Sequence, residues 1–285
     1  MIGLLLDTPP SPHMCAVINE MDTALQQSRP WMVELPRGSG KSSIVECCML
    51  YLLSCGKRKL CVIAAQNQRS AQNMLRDIWR PIVERDSAFV QDFPEICFPF
   101  LIANGSFRRR QMYRGIPTDI EKNASSIRFP RIVRDGVELP TSGSCLTTRG
   151  ISGGIRGIKS GTLRPDVVIL DDLSTEDTAS NPEQVQKLLG IIKKDVLGLS
   201  GKGKLQVLMT ATPICPDDLC AKLEGDVNWK TTKHKAMLSW PKNTELWERY
   251  FSLYDKELAV DSPHTESLEF YKANFDAMND GAELF

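Results

Sequence analysis

Three short stretches hold residues whose types and spacing suit phosphate chemistry. The first is LPRGSGKSS at 35–43, between the apolar run WMVEL and an apolar-rich segment reaching Ser54. Gly38 and Gly40 let the backbone turn its amides toward phosphate oxygens. Lys41 offers a point charge to β- and γ-phosphates, and the Ser42 hydroxyl suits Mg²⁺. Pro36 contributes no amide, Arg37 adds charge, and Ser39 and Ser43 complete a loop whose expected occupants are ATP and Mg²⁺. The usual G-x-x-x-x-G-K-[ST] spacing wants glycine where Leu35 stands. Leu35 fits if it ends the preceding strand.

The second stretch is VVILDD. An acid at the tip of a parallel strand completes a metal site beside such a loop. Asp171 fits the metal role. Asp172 or Glu176 would orient the attacking water; Asp is one methylene shorter than the Glu usual there, so the choice stays open. The third is LMTATP, a buried strand whose Thr210, Ala211 and Thr212 would lie near the γ-phosphate and sense hydrolysis.

Two further stretches carry cations. TTRGISGGIRGIKSG at 147–161 has five glycines and three basic residues. Arg149 or Arg156 there could present a guanidinium to a neighbouring subunit's γ-phosphate or to a nucleic-acid backbone. The segment 100–134 holds seven Arg and one Lys against Asp119 and Glu121. Its Arg108, Arg109, Arg110 and Arg114, with Arg128, Arg131 and Arg134, form a candidate DNA-backbone contact.

The elements that would position these groups read as α/β. Apolar strands are expected at 31–35, 59–65, 164–172 and 204–213, with helices at 17–27, 42–54, 68–86 and 182–199. Alternation of strand and helix implies a mostly parallel sheet with helical crossovers. Residues 87–150, rich in Pro, Gly and Arg, read as an inserted β-hairpin region turning at Asp135-Gly136. Two amphipathic helices are expected at 243–258 and 263–284. The organisation is therefore an ATPase domain over 1–225 and a small helical lid or linker over 226–285.

Bulk properties exclude other classes. The 285 residues carry 35 basic and 35 acidic side chains, so total charge announces no polyanion partner. Nine cysteines without a C-x-x-C pair indicate buried reduced thiols rather than a zinc site or disulfide framework. No run approaches the roughly 20 apolar residues of a membrane span, and the first residues lack a signal peptide's basic start.

The blocks LPRGSGKS, IAAQNQRSAQNMLRDI, RRRQMYRGIPTDIEKNASSIRFP, GISGGIRG, RPDVVILDDLSTED, TATP and LEFYKANFDAMNDGAELF, in this order, resemble the large terminase subunit of tailed bacteriophages and prophages, in its ATPase half. The resemblance implies a P-loop NTPase of the additional-strand (ASCE), RecA/helicase-like class. It implies a motor that hydrolyses ATP and pushes double-stranded DNA into a procapsid in the host bacterial cytoplasm. Its partners would be DNA, the portal protein and the small terminase subunit. It would work as a homo-oligomeric ring, commonly a pentamer, and could be a monomer in isolation. Lys41 and Ser42 would hold phosphates and Mg²⁺; Asp171 and Asp172 would handle metal and water; residues 210–213 would couple hydrolysis to movement. Arg156, with Arg149 second, would act across the subunit boundary. Such subunits usually continue into a nuclease domain needing separated carboxylates around two metals. No nuclease activity is expected from this chain. A helicase- or remodeller-like ATPase, a small-molecule kinase and a non-catalytic nucleotide-binding module are the competing readings.

Overall fold

Four uninterrupted apolar runs build the centre of the sheet. The computed structural model describes residues 10–27, 29–105, 107, 111–200, 204–260 and 263–284. The chain divides into two units, one ending at Lys233 and one beginning at His234.

In the first unit the order is α1 (Pro12–Gln26), β1 (Trp31–Glu34), α2 (Lys41–Ser54), β2 (Leu60–Ala65), α3 (Gln68–Val83), α4 (Ala88–Asp92) and α5 (Pro94–Ala103). Short strands follow: β3 (Met112–Tyr113), β4 (Ile116–Pro117), β5 (Glu121–Lys122), β6 (Ser126–Arg128), β7 (Val133–Arg134) and β8 (Val137–Glu138). Then come β9 (Cys145–Gly150), β10 (Val167–Asp171), α6 (Glu176–Ala179), α7 (Pro182–Ile191), β11 (Gln206–Ala211), α8 (Leu219–Glu224) and β12 (Lys230–Lys233).

Eight strands form one sheet in the order β12-β1-β11-β10-β2-β9-β6-β5. The ladders from β12 to β9 are parallel, and β6 and β5 add antiparallel. Every residue of β1, β2, β10 and β11 is buried, as a parallel sheet covered on both faces requires. Met32, Val62, Ala64, Val168, Leu170, Val207 and Met209 share one core with Val185, Leu188 and Leu189 of α7 and Leu219 and Leu223 of α8. Alternate residues such as Val33, Ile63 and Ile169 point to the opposite face, and α1, α2 and α3 pack on these strands. This is the α/β class read from the sequence, with β11 inserted between the loop strand β1 and the acid strand β10.

The helices form where local chemistry permits. The Asn67 side chain accepts from Ser70 N–H and caps α3, whose Ala71, Met74, Leu75, Ile78 and Ile82 make one buried stripe. Asn181 caps α7, with Pro182 at its first turn. The same helical path continues beyond Ile191 through a π-turn and a 3₁₀ turn to Ser200.

Gly150, at the end of β9, marks a close approach. A Cβ there would lie 2.4 Å from the backbone nitrogen of Gln68 and 2.7 Å from the carbonyl carbon of Asn67. Both are rigid backbone at the start of α3, so Gly150→Ala should destabilise by about 2 kcal/mol through overpacking. Urea unfolding checks this; an unchanged midpoint would mean the α3 start yields freely.

The insertion differs in part from expectation. The Asp135-Gly136 turn is present, with φ of 52° and 78° between β7 and β8, as a tight hairpin demands. Residues 88–103, however, form α4 and α5, because Ser87 caps α4 and Pro94 starts α5. The C-terminal boundary also moves. Residues 226–233 belong to the first unit, where β12 pairs with β1.

The second unit contains β13 (Met237–Ser239), α9 (Thr244–Ala259), α10 (Thr265–Ala273), α11 (Phe275–Asn279) and β14 (Glu283–Leu284), with β13 and β14 antiparallel. The single helix expected at 263–284 is broken at Asn274 and ends in a strand. The aromatic rings of Trp247, Tyr250 and Tyr271 cluster between α9 and α10. Glu257 accepts from Glu266 N–H, Ser267 N–H and the Ser267 hydroxyl, tying α9 to the start of α10.

All nine cysteines are free, and six are buried. Cys15 and Cys55 are exposed and Cys215 is half-buried, so burial holds for most of the thiols. Among the described residues no helix is long and apolar enough to cross a membrane.

Candidate active site

The site lies at the carboxyl ends of β1, β11 and β10, where loops leave a parallel sheet. Leu35 is buried and donates its N–H to Ala211 C=O at 2.9 Å. The position that usually carries a glycine therefore continues the strand, and the loop starts at Pro36. Gly38 and Gly40 have φ of 77° and 76°, left-handed values that a side chain disfavours. Gly40 stands at the start of α2 without a side-chain cap, so the first amides of that helix keep their capacity for an anion.

Lys41 is 8% exposed, and its ammonium donates to its own loop at Pro36 C=O, 3.3 Å away. The Ser42 hydroxyl donates to Asp171 Oδ2 at 2.9 Å, and the Thr210 hydroxyl donates to Asp171 Oδ1 at 2.6 Å. Asp171 and Thr210 are register partners across β10 and β11, which is why the two side chains meet. Burial pushes the Asp171 carboxyl above its ordinary range; the bonds from Thr210 and Ser42 oppose that, and Asp172 adds repulsion. The ladder extends one residue further, with Asp172 N–H donating to Thr210 C=O at 3.0 Å. Asp172 then turns into the left-handed region at φ 43°, which Asp tolerates better than most residues.

A cleft of about 530 Å³ collects Arg37, Lys41, Asp172, Glu176 and Thr212. Both candidates for the water-orienting carboxylate thus face one space. Glu176, at the first turn of α6, pairs with Arg37 at 2.8 Å, and both side chains are largely exposed. Two hydroxyls beside the cleft, Ser39 Oγ and Thr212 Oγ1, are buried and have no hydrogen-bond partner. Orphaned hydroxyls beside a buried ammonium and two left-handed glycines fit a phosphate group. The adjacent Ser42 hydroxyl and Asp171 carboxylate fit a hard divalent cation.

The other predicted residues lie elsewhere. Ser43 lines a second cleft of about 620 Å³ with Ser42, Glu46, Asp77 and Arg80. Arg156 is exposed, pairs with Asp195 at 2.6 Å, and lines a separate cleft of about 540 Å³ with Arg128, Arg149 and Lys159. It does not line the cleft that holds Arg37, Lys41 and Asp172. Arg149 is half-buried and donates to Thr148 C=O. Arg108, Arg109 and Arg110 lie outside the described residues. Arg114 is exposed at the β3–β4 turn, with its guanidinium 5.4 Å from the Tyr113 ring centre. Arg128, Arg131 and Arg134 pair with Glu121, Glu138 and Glu95. The basic segment is therefore more neutralised than its composition suggests.

Glu46 is a site neighbour that belongs to no motif; its place one turn after Ser42 is its signal in the sequence. Burial, then repulsion from Asp77 and Asp171, pushes its carboxyl up to about 8 from 4.5. Between those values the native state holds a proton that the unfolded chain has released, so stability falls as pH rises from about 4.5 to about 8. Glu46→Gln should flatten that slope and raise stability at pH 8 by about 1–2 kcal/mol. Denaturant midpoints at pH 5.5 and pH 8 for both proteins provide the check; parallel slopes would refute it.

No protein-family model matches the chain, and neither does any curated protein. Solved structures do match. A Thermus phage P74-26 large terminase ATPase domain, in mutant form, aligns over 92% of this chain and 96% of its own at 14% identity, TM-score 0.43. The HK97 bacteriophage large terminase aligns over 85% of this chain at 13% identity and TM-score 0.44, and the matched part is 43% of its length. The Phi-28 gp11 DNA packaging motor aligns over 75% of this chain and 59% of its own at 12% identity, TM-score 0.35. Solved structures that this α/β chain is similar to thus include phage large terminases, a terminase ATPase domain and a DNA-packaging motor.

Proposed function

We propose that this chain is the ATP-hydrolysing motor domain of a viral DNA-packaging terminase large subunit, translocating double-stranded DNA into a procapsid. The observation that carries the catalytic half is the Asp171 carboxylate held between Ser42 and Thr210 beside the Lys41 loop. The order of the terminase-like blocks supports the motor half.

In this reading the amides after Pro36, with Lys41, hold the phosphate tail, and Arg37 adds charge at the cleft mouth. Ser42 and Asp171 would hold Mg²⁺, which when bound neutralises charge on the β- and γ-phosphates. Asp172 or Glu176 accepts a proton from water as the water oxygen bonds to the γ-phosphorus. The bond to the bridging oxygen breaks, and its electron pair leaves with ADP. Thr210, Ala211 and Thr212 register the loss of the γ-phosphate. Arg156 serves a neighbouring subunit's nucleotide in the ring, and Arg114 contributes to the DNA contact with Arg108, Arg109 and Arg110. The portal protein and small terminase subunit are the expected partners.

The test is ATP turnover per chain against protein concentration, with and without double-stranded DNA, for the parent and Arg156→Ala. The ring motor predicts turnover that rises with concentration and DNA, and a loss in Arg156→Ala of about 10³-fold or more. Turnover flat in concentration and indifferent to Arg156 would assign a site complete within one chain and sink the trans-acting arginine. Absence of turnover under every condition would favour a nucleotide-binding module.

A further inference from the structure

Thr212 faces the phosphate cleft, and the loop that follows it is pinned by one buried carboxylate. Asp218, 1% exposed, accepts from Ile214 N–H at 2.7 Å, from Cys215 N–H at 3.4 Å, and from Ala221 N–H at 3.0 Å. It therefore fixes the loop after the threonines to the first turn of α8. At the far end of α8, Glu224 accepts from the Lys233 ammonium at 2.6 Å. The same ammonium lies 3.5 Å from Glu34 Oε2. Glu34 is the last residue of β1, 4% exposed, and stands opposite Lys233 in one ladder and Ala211 in the other. These groups line an open cleft of about 340 Å³ with Ile214; Glu34 and Asp218 are buried in its wall, and Lys233 and Glu224 are half-exposed.

Lys233 is a cation lining this cleft, and it pairs with two carboxylates, Glu224 and Glu34. Glu34 depends on it most, because burial pushes the Glu34 carboxyl up and the Lys233 charge is the largest opposing influence. A buried carboxylate deprived of its partner is strongly destabilising. The sequence connects this pair at one end to the loop and at the other to the second unit. Glu34 leads through Leu35 directly into the phosphate loop, and the chain leaves the first unit at Lys233. A shift of the loop that moves Glu34 changes its 3.5 Å pairing with Lys233.

We propose that Lys233 is a positioning residue that couples occupancy of the phosphate loop to the backbone at 230–236, the root of the second unit. The proposal rests on the nucleotide-site reading given under Proposed function. It assigns Lys233 no contact with the nucleotide; it acts through Glu34 on one side and Glu224 on the other.

Hydrogen–deuterium exchange of the whole chain tests it, with and without Mg²⁺ and a slowly hydrolysed ATP analogue. Binding of a fluorescent ATP is titrated in the same samples. In the parent, the analogue should slow exchange at 230–236. Lys233→Met keeps the aliphatic stem and removes the charge; it should bind nucleotide and lose the slowing. Lys233→Arg should retain it. Glu34→Gln with Lys233→Met removes the uncompensated buried charge, so it should fold even if the single variant does not, and it too should lack the response. Persistent slowing in either Met variant overturns the coupling, as does a parent that binds nucleotide without slowing. A parent that binds no fluorescent ATP overturns the nucleotide site itself, and the coupling with it.

Discussion

Replacing Lys41 by alanine should lower ATP turnover by about 10²–10³-fold and leave the fold intact, the loss expected when one preorganised donor to a charged phosphoryl group is removed. In the folded chain Lys41 bonds within its own loop. It is 8% exposed, and its ammonium meets a neutral carbonyl of its own loop, Pro36 C=O at 3.3 Å. A buried ammonium with so modest a partner contributes little to folding and carries a desolvation penalty. Its removal should leave the thermal midpoint unchanged or slightly raised. Phosphate-release assays and a thermal melt on the same preparation measure both. Turnover within a few-fold of the parent would place the catalytic phosphate site elsewhere; a large fall in melting temperature would mean that Lys41 is structural.

Asp171→Asn should separate activity from stability in the same way, with opposite signs. The carboxylate is 6% exposed, and burial holds its pKa above the ordinary range. A carboxyl raised in the native state opposes folding at neutral pH, because the unfolded chain ionises more readily. Asparagine keeps an oxygen for Thr210 or Ser42 and removes the charge, so stability should rise by about 1 kcal/mol. Turnover should fall by about 10²-fold or more, because a neutral amide cannot balance a divalent cation near the γ-phosphate. The Mg²⁺ concentration for half-maximal turnover should rise as well. A variant that is less stable and fully active would reverse the assignment. Thr210→Val is the companion: it withdraws the 2.6 Å donor and leaves the buried carboxylate under-satisfied, which should lower stability by about 1–2 kcal/mol.

The interior of this fold was legible because its strands are fully buried and therefore continuously apolar. VVILD and LCVIAA carry that signature without ambiguity. The glycine-serine loop and the strand-end acids could be placed because a parallel sheet sends its loops to one edge. The bond between Asp171 and Thr210 was not legible, since it depends on which strands are neighbours and in what register. The strand β12 was missed because Lys-Thr-Thr-Lys is polar, half-buried and at the sheet edge. The helix α5 was hidden by two prolines, one at its start and Pro99 inside. The basic segment misled for a third reason. Arg131 and Arg134 have acids within reach, but Glu138 and Glu95 are partners that only the hairpin and α5 bring to them. Glu34, Asp218 and Lys233 belong to no motif, and their association appears only after α8 and β12 are in place.

The placement of β11 between β1 and β10 sets a width. Neighbouring strands lie about 4.8 Å apart, so the strand feeding the phosphate loop and the strand bearing Asp171 are separated by about two such steps, roughly 10 Å. Without the intervening strand the gap would be half as wide. The backbones of the loop strand and the acid strand therefore stand one strand apart, bridged by the Ser42–Asp171 hydrogen bond, and the floor between them is the end of that strand, Thr210 to Thr212. Ladder bonds fasten the floor on both sides, through Leu35 N–H to Ala211 C=O and through Asp172 N–H to Thr210 C=O. The walls cannot spread without lifting their own floor. A threonine hydroxyl midway between loop and acid is thus a product of strand order, supplied by whichever residue ends the inserted strand.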